Sequence, residues 1–337
     1  MDEDGFYLGY NEQYGNIFVD FFRRDSERVN SNMMIIGKSG GGKSFATKTL
    51  LTNMAADNSK IFILDPEKEY DFLTDSLKGQ IIDVGSGLQG RINPFHITPS
   101  LKEDEDERKD EKEYRTTTLD VQDDYNAHLQ FLEQYFRVIF EGMDSDAFEK
   151  VNSLVIEMYK RKNITSKTDL TKLTPNDFPI FDDLYSLVEE KLKTEKDEYL
   201  LSIYKKIEIY VQKFATGGRN ANIWNGPTTL ETKENFVVFA FRSLLANRNM
   251  VLANAQMLLV IRYLNNEIIR NKEFNKIHNF GENDPNRRKI IIAIDEAHTF
   301  IDQKYPIALD FMELLAKRIR KYDGMQIIIT QNIKDFV

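Results

Sequence analysis

Cysteine is absent from the 337 residues of this sequence. The chain therefore has no disulfide framework and no thiolate metal site. Its cysteine content does not indicate whether it works in an oxidising or a reducing compartment. Its four histidines lie far apart, at positions 96, 128, 278 and 298, so we expect solvated or core histidines rather than a metal cluster. No apolar run approaches the roughly 20 residues that a membrane-spanning helix needs, and no secretory signal is recognisable at the N-terminus.

An excess of positive charge is also missing, because the net charge is −9 at neutral pH. This charge argues against a molecule that binds nucleic acid over its whole surface, although it is compatible with a local basic stripe. Leu101 to Arg115 is almost wholly charged, and its acidic tract from Glu103 to Glu113 makes the net charge of the chain more negative. We expect this stretch to be a mobile surface segment that opens an insertion.

One glycine-rich stretch matches a known phosphate-binding pattern. Gly37-Lys38-Ser39-Gly40-Gly41-Gly42-Lys43-Ser44 fits G-x-x-x-x-G-K-[ST] at each fixed position. The apolar run Met33-Met34-Ile35-Ile36 before it predicts a buried strand, and Phe45 to Ala56 after it predicts a helix. This strand–loop–helix context is the one in which the pattern binds nucleotides.

The residue types of the glycine-rich stretch are suited to binding a nucleoside triphosphate. Glycines let the backbone curl and bring its N–H groups close to a phosphate, and the following helix adds its positive dipole end. Lys43 would reach the β- and γ-phosphates, and the Ser44 hydroxyl would bind Mg²⁺. A flexible loop is the alternative interpretation of so many glycines. The predicted nucleotide-binding residues are Gly37, Ser39, Gly40, Gly41, Gly42, Lys43, Ser44 and Phe45.

A second apolar run, Lys60 to Leu64, predicts a strand that ends at Asp65-Pro66. Ligands of parallel α/β sheets bind at the carboxyl ends of the strands, so Asp65 and Glu67 could face the phosphates or the attacking water. The alternative is that Asp65 caps a helix with Pro66 in its first position, which is the commoner use of Asp-Pro.

An apolar strand from Lys289 to Ile294 ends in two carboxylates, Asp295 and Glu296. In a phosphate-loop enzyme, Asp295 would hold Mg²⁺, and Glu296 would orient and deprotonate the attacking water. A strand with polar ends is the alternative, but the phosphate loop elsewhere in the chain favours the functional interpretation.

The C-terminal part carries two further candidates. A helix predicted from Ile307 to Tyr322 has Arg318 and Arg320 near its end, either as charges that complement the helix dipole or as an arginine finger for a neighbouring subunit. A last strand ends at Gln331, which would sense the γ-phosphate or make an ordinary strand-end hydrogen bond.

These segments predict an α/β fold with a central, mostly parallel sheet, a small N-terminal β hairpin and an all-helical insertion. The insertion follows from apolar residues at helical spacing between Val121 and Phe214, whose aromatics we expect in a core. The predicted division is residues 1–100 for the first part of the core with the hairpin, 101–214 for the insertion, and 215–337 for the second part of the core.

The motifs together resemble a known family. The sequence is similar to the HerA/FtsK-superfamily ATPases and, within them, to the VirB-type conjugation ATPases of type IV secretion, kin of TraC and ConE. The resemblance covers roughly residues 5 to 337. The matching segments are Gly37 to Ser44, Leu64-Asp65-Pro66-Glu67, Ile92-Asn93-Pro94, Ile294-Asp295-Glu296-Ala297-His298, Arg318-Ile319-Arg320-Lys321 and Thr330-Gln331.

The resemblance implies a RecA-like P-loop NTPase core that binds ATP and Mg²⁺ and is hexameric when active. It implies a cytoplasmic location at the base of a membrane channel, contacts with other secretion components and a coupling protein, and transfer of DNA or protein. Full-length members carry an N-terminal docking domain before this core, so the resemblance implies that this sequence is the C-terminal portion. By the same resemblance, Lys43, Glu296, Gln331 and Arg318 or Arg320 are catalytic, whereas Ser44 and Asp295 bind the metal.

Two other functions stay open at this point. One is a chromosomal DNA pump of the HerA or FtsK type, against which the acidic charge and the insertion count mildly. The other is a docking module in which the nucleotide sets the conformation and turnover is negligible.

Overall fold

The computed structural model describes residues 5–23, 30–38, 40–87, 90–98, 124–246, 250–281, 284–300, 307–319, 322 and 324–331. The chain divides into two units, one formed by Met1–Gly85 with Glu231–Val337 and the other by Ser86–Leu230. The boundaries predicted after residues 100 and 214 both lie inside the second unit and stay a prediction. The charged stretch from Leu101 to Arg115 lies outside the described residues.

The first unit begins with an antiparallel hairpin of β1 (Phe6–Tyr10) and β2 (Asn16–Val19). Its turn is closed by hydrogen bonds from Tyr14 N to Asn11 O and from Asn11 N to Gly15 O, each 2.9 Å long. Tyr14 adopts a φ of 61° in this turn. The predicted N-terminal β hairpin is therefore confirmed.

A six-stranded sheet forms the centre of this unit, and each of its neighbouring strand pairs is parallel. The spatial order is β3-β8-β7-β4-β6-β5. Strands β4, β6 and β7 are buried along nearly their whole length, as expected for a parallel sheet covered on both faces. The strands are β3 (Met33–Ile36), β4 (Ser59–Asp65), β5 (Gln80–Asp83), β6 (Phe236–Ala240), β7 (Lys289–Ile294) and β8 (Gly324–Thr330).

Strand β3 corrects one expectation. The sequence predicted a buried strand, but β3 lies at the edge of the sheet, and Met34 and Ile36 are 42% and 49% exposed. The apolar composition of Met33–Ile36 reports a strand correctly, whereas its place in the sheet depends on which strands pair with it.

Helices connect the strands and form the second unit. They are α1 (Lys43–Ala56), α2 (Asp71–Ser76), α3 (Asp124–Ile139), α4 (Ser145–Arg161), α5 (Phe181–Thr194), α6 (Glu198–Val211), α7 (Ala221–Trp224), α8 (Arg242–Leu245), α9 (Met250–Ile277) and α10 (Ile307–Ile319). Helix α10 ends before the predicted Tyr322. No helix in the described ranges has the length and apolarity needed to cross a membrane.

The second unit is helical and has an aromatic core, which confirms the predicted all-helical insertion. Phe140 stacks on Phe136 at 5.1 Å between ring centroids, and Phe214 contacts Phe181 and Trp224 at 5.1 and 5.3 Å. These five side chains are at most 2% exposed. They fill a core, as expected for aromatics at helical spacing.

Asn93, from one of the family-matching segments, has a structural role in the second unit. Its side chain donates to the carbonyl of Pro179 at 2.8 Å and accepts from the N–H of Phe95 at 3.0 Å. The Asn93 side chain is buried and therefore satisfies two backbone groups that water does not reach.

Candidate functional site

The phosphate loop joins the carboxyl end of β3 to the first turn of α1. Gly40 and Gly42 adopt φ angles of 77° and 82°, which side-chain-bearing residues rarely take. Gly41 N donates to Lys38 O at 3.0 Å, and Gly37 N donates to Thr330 O at the end of β8, 3.3 Å away. Because α1 begins at Lys43, the open N–H groups of its first turn point toward this loop.

Gly42 offers a test of the loop's conformation. A Cβ at Gly42 would meet no atom within 4 Å, so the cost of Gly42→Ala comes from backbone strain. We expect about 1 kcal/mol of destabilisation in urea unfolding. Gly281→Ala is the matched control, because this position is equally open and has no positive φ. Equal stability of the two variants would contradict the left-handed conformation of Gly42.

The two carboxylates after β7 lie next to the loop lysine. Lys43 Nζ lies 2.5 Å from Glu296 Oε1 and 3.8 Å from Asp295 Oδ1. All three residues are less than 9% exposed. Parallel pairing explains the meeting, since β3 before the loop and β7 before Asp295 both pair in parallel with β8, and their carboxyl ends therefore lie at the same edge of the sheet.

Glu296 contacts two further side chains besides Lys43. Gln331, just beyond β8, donates its amide to Glu296 Oε1 at 3.0 Å, and His298 Nδ1 lies 3.2 Å from Glu296 Oε2. The Glu296 backbone has a φ of 41°, and its N–H donates to Asp295 Oδ1 at 2.8 Å. A non-glycine residue held at positive φ is costly, and such strain concentrates at functional sites.

The two neighbouring carboxyls have pKa values shifted in opposite directions. Burial raises the pKa of Asp295, against the hydrogen bonds it accepts from Tyr70 and the Glu296 N–H. Burial also acts to raise the pKa of Glu296, but hydrogen bonds from Lys43 and Gln331 together with the Lys43 charge lower it overall. Glu296 is therefore ionised while Lys43 is bound to it.

Asp65 has the capping role that the Asp-Pro pattern favours, but it caps a loop instead of a helix. Its Oδ1 accepts from the N–H groups of Glu67 and Lys68, at 3.1 and 2.8 Å, and its Oδ2 accepts from Tyr70 N at 3.2 Å. Burial raises the Asp65 pKa, against these backbone donors. Pro66 opens no helix, since α2 begins only at Asp71, and Glu67 is exposed.

Tyr70 belongs to the site, although sequence reasoning missed it. Its buried hydroxyl donates to Asp295 Oδ2 at 3.0 Å. Burial and then the Asp295 charge raise the pKa of Tyr70 well above its usual value, so the hydroxyl keeps its proton. A tyrosine five residues after a strand-ending aspartate was the available signal, but an aromatic residue in such a place is more often part of a core.

The remaining predicted residues are placed only in part. Ser44 is half-buried in the first turn of α1, and Phe45 beside it is 78% exposed. Arg318 lies on α10, whereas Ser39 and Arg320 fall outside the described residues. The structure therefore brings together Lys43, Asp295, Glu296 and Gln331, and the roles of all these residues stay predictions.

The residues fit a phosphate group with a divalent cation. A Cβ added at Gly40 or Gly42 would meet open space, which leaves room above the loop for a ligand. Lysine suits a phosphate, and the oxygens of Asp295 and Ser44 are the hard ligands that Mg²⁺ prefers. Within the described ranges no group of three or more acidic or histidine side chains could hold a metal.

Sequence comparisons relate the chain to known proteins. Residues 11–216 match the TraG P-loop domain family. Protein TraC of Escherichia coli is 22% identical over 320 residues, which are 95% of this chain and 31% of TraC. The probable DNA double-strand break repair helicase HerA of Methanocaldococcus jannaschii is 24% identical over 309 residues, which are 89% of this chain and 57% of HerA.

A solved structure supports the same fold. VirB4 of Thermoanaerobacter pseudethanolicus is similar with a TM-score of 0.81 and 27% identity, over 100% of this chain and 79% of the VirB4 chain. Together with the parallel sheet, this likeness confirms the predicted P-loop NTPase fold. The chain spans about a third of TraC and somewhat more than half of HerA.

Proposed function

Because the chain belongs to the TraG P-loop domain family, we propose that it is the ATPase part of a conjugative type IV secretion system. The motif resemblance to the HerA/FtsK superfamily and its VirB-type ATPases is confirmed by the matches to TraC, HerA and VirB4. The proposal goes further: the chain hydrolyses ATP, and hydrolysis energises channel or pilus assembly and transfer of DNA or protein.

The observation that carries the proposal is the meeting of Lys43 with the Asp295–Glu296 pair at one edge of the sheet. Lys43 would bind the β- and γ-phosphates of ATP, with backbone N–H groups of the loop around them. Ser44 and Asp295 would hold Mg²⁺, which when bound neutralises the charge of the phosphates. Glu296 would take a proton from the attacking water. Gln331, which follows β8, would sense the γ-phosphate.

The Lys43–Glu296 contact supplies a reason for the base to act only on a bound substrate. Lys43 holds Glu296 at a low pKa in the structure described here. When Lys43 turns to a phosphate, Glu296 loses this stabilisation of its charged form, and its pKa rises. A carboxylate with a higher pKa is a stronger base, so Glu296 gains basicity in the state in which water must be deprotonated.

A complete site would take an arginine from a neighbouring copy of the chain, and Arg318 and Arg320 are the candidates. We therefore expect the rate of ATP hydrolysis per chain to rise with protein concentration, because assembly supplies the arginine. Turnover and particle size are measured on the same samples, by phosphate release and light scattering. A rate per chain that stays at zero while hexamers form would contradict the proposal and favour a docking module.

The proposed partners are the other secretion components at the cytoplasmic face of the membrane and a coupling protein. The chain spans under two thirds of TraC and HerA, so the cargo and the partners of the whole assembly belong to the proposal. Duplex DNA distinguishes the alternative DNA pump. ATPase activity that is stimulated by duplex, with binding that weakens steeply in salt, would favour a translocating pump.

A further inference from the structure

Tyr70 is held in place at its backbone and at its ring. Its N–H donates to Asp65 Oδ2 at 3.2 Å, and its carbonyl accepts from the N–H and the hydroxyl of Thr74 at 2.9 and 2.8 Å. The ring is fully buried in the apolar cluster beneath the sheet. These contacts leave the side chain no freedom to swing away, so the position of its hydroxyl is fixed by the fold.

The hydroxyl ends on the carboxylate that is expected to meet the metal. Asp295 accepts from Tyr70 through Oδ2 at 3.0 Å and from the Glu296 N–H through Oδ1 at 2.8 Å. One donor on each oxygen fixes the plane of the carboxylate and leaves a further lone pair on each oxygen. An oriented carboxylate with free lone pairs is what a Mg²⁺ ion or its bound water requires.

Satisfying a buried hydroxyl is a weaker explanation for this contact. Tyr135 is also fully buried, and within the described part of the chain its hydroxyl has no hydrogen-bond partner. The chain therefore tolerates a buried phenol without a carboxylate beside it. Burial of the phenol therefore does not by itself explain why the Tyr70 hydroxyl is bonded to Asp295, a charged group of the candidate site.

We propose that Tyr70 is a positioning residue for the metal: its hydroxyl, set by the Asp65 loop, orients Asp295 toward the Mg²⁺ that accompanies ATP. This inference rests on the proposed function, because it assumes that the site takes Mg²⁺–ATP. Asp65 is part of the device, since it fixes the loop from Glu67 to Tyr70 through three backbone hydrogen bonds.

The test separates metal binding from nucleotide binding in the full chain. A fluorescent ATP analogue is titrated in EDTA and then at increasing Mg²⁺. In Tyr70→Phe, which keeps the ring, we expect the affinity in EDTA to stay within about twofold, because no phosphate contact changes. The Mg²⁺ concentration for half-maximal enhancement should rise about tenfold, the size typical of losing a partner of a metal ligand.

Two further variants keep the result interpretable. Tyr135→Phe also removes one buried hydroxyl, and we expect the wild-type response to Mg²⁺. Asp65→Asn keeps one acceptor oxygen for the loop, and we expect a smaller rise in the same direction. Melting temperatures of all variants show that each is folded.

Three outcomes overturn the inference. An unchanged Mg²⁺ requirement in Tyr70→Phe, with a normal wild-type response, refutes the positioning role and leaves the proposed function intact. Equal weakening of the analogue in EDTA and in Mg²⁺ shows a purely structural effect. A wild-type chain that binds the analogue without any response to Mg²⁺ overturns the proposed Mg²⁺–ATP site, and the inference with it.

Discussion

Replacing Glu296 by glutamine is expected to lower the rate of ATP hydrolysis by about 10²- to 10⁴-fold, the usual loss when a general base is removed. Glutamine has the same shape and keeps an oxygen that can accept from Lys43, so ATP binding should persist. Steady-state phosphate release and binding of a fluorescent ATP analogue, measured on the same preparation, check the two halves of this expectation.

Glu67→Gln is the matched control for this variant. Glu67 is exposed and follows β4, the strand that pairs with β7. From the sequence, Glu67 was a second carboxylate that could face the attacking water. We expect its turnover to stay within about twofold of the wild type, because no contact links it to Lys43 or Asp295. Normal hydrolysis by Glu296→Gln, or a large loss in Glu67→Gln, would show that the base has been assigned to the wrong carboxylate.

Lys43→Met should lose ATP turnover and should also destabilise the fold. The side chains of Lys43 and Glu296 are 6% and 9% exposed, so removing the lysine leaves buried negative charge without its ion-pair lysine. Breaking a buried pair in this way costs about 3 kcal/mol. Urea unfolding measures the cost, and the double variant Lys43→Met/Glu296→Gln should recover most of it because the unpaired charge is also gone.

Lys48→Met provides the control on the same helix. Lys48 pairs with Glu69 at 3.5 Å, and both side chains are about a third exposed. A solvated pair of this kind contributes at most about 1 kcal/mol. If Lys43→Met were no more destabilising than Lys48→Met, the buried ion pair would have no energetic weight. A double variant as unstable as Lys43→Met alone would show that Asp295 is the charge that needs the lysine.

Local patterns were sufficient to predict most strands and the two motifs that form the candidate site. The phosphate loop between Met33 and Ala56 and the Asp295–Glu296 pair after an apolar strand are each contained in a short stretch, so no tertiary information is needed to find them. That these segments meet also followed from the sequence, since parallel strands present their carboxyl ends at one edge of a sheet.

Features that depend on contacts between distant segments could not be predicted in the same way. The edge position of β3 is set by strand order, which the four residues Met33–Ile36 do not encode. Tyr70 looks like a core aromatic until its hydroxyl is seen on Asp295, 225 positions away. The proposed arginine from a neighbouring copy, Arg318 or Arg320, depends on contacts between chains, which the sequence of one chain does not encode.

The order of strands has a consequence for biosynthesis. In the part of the chain that the structure describes, β3 pairs with β8 alone, and β8 also links it to β7. The strand that leads into the phosphate loop therefore cannot join the sheet until β8, whose Ile327 pairs with Met33, has left the ribosome. Until then the proposed nucleotide site is incomplete, so ATP bound at that site could stabilise the nascent chain only after β8 has been made.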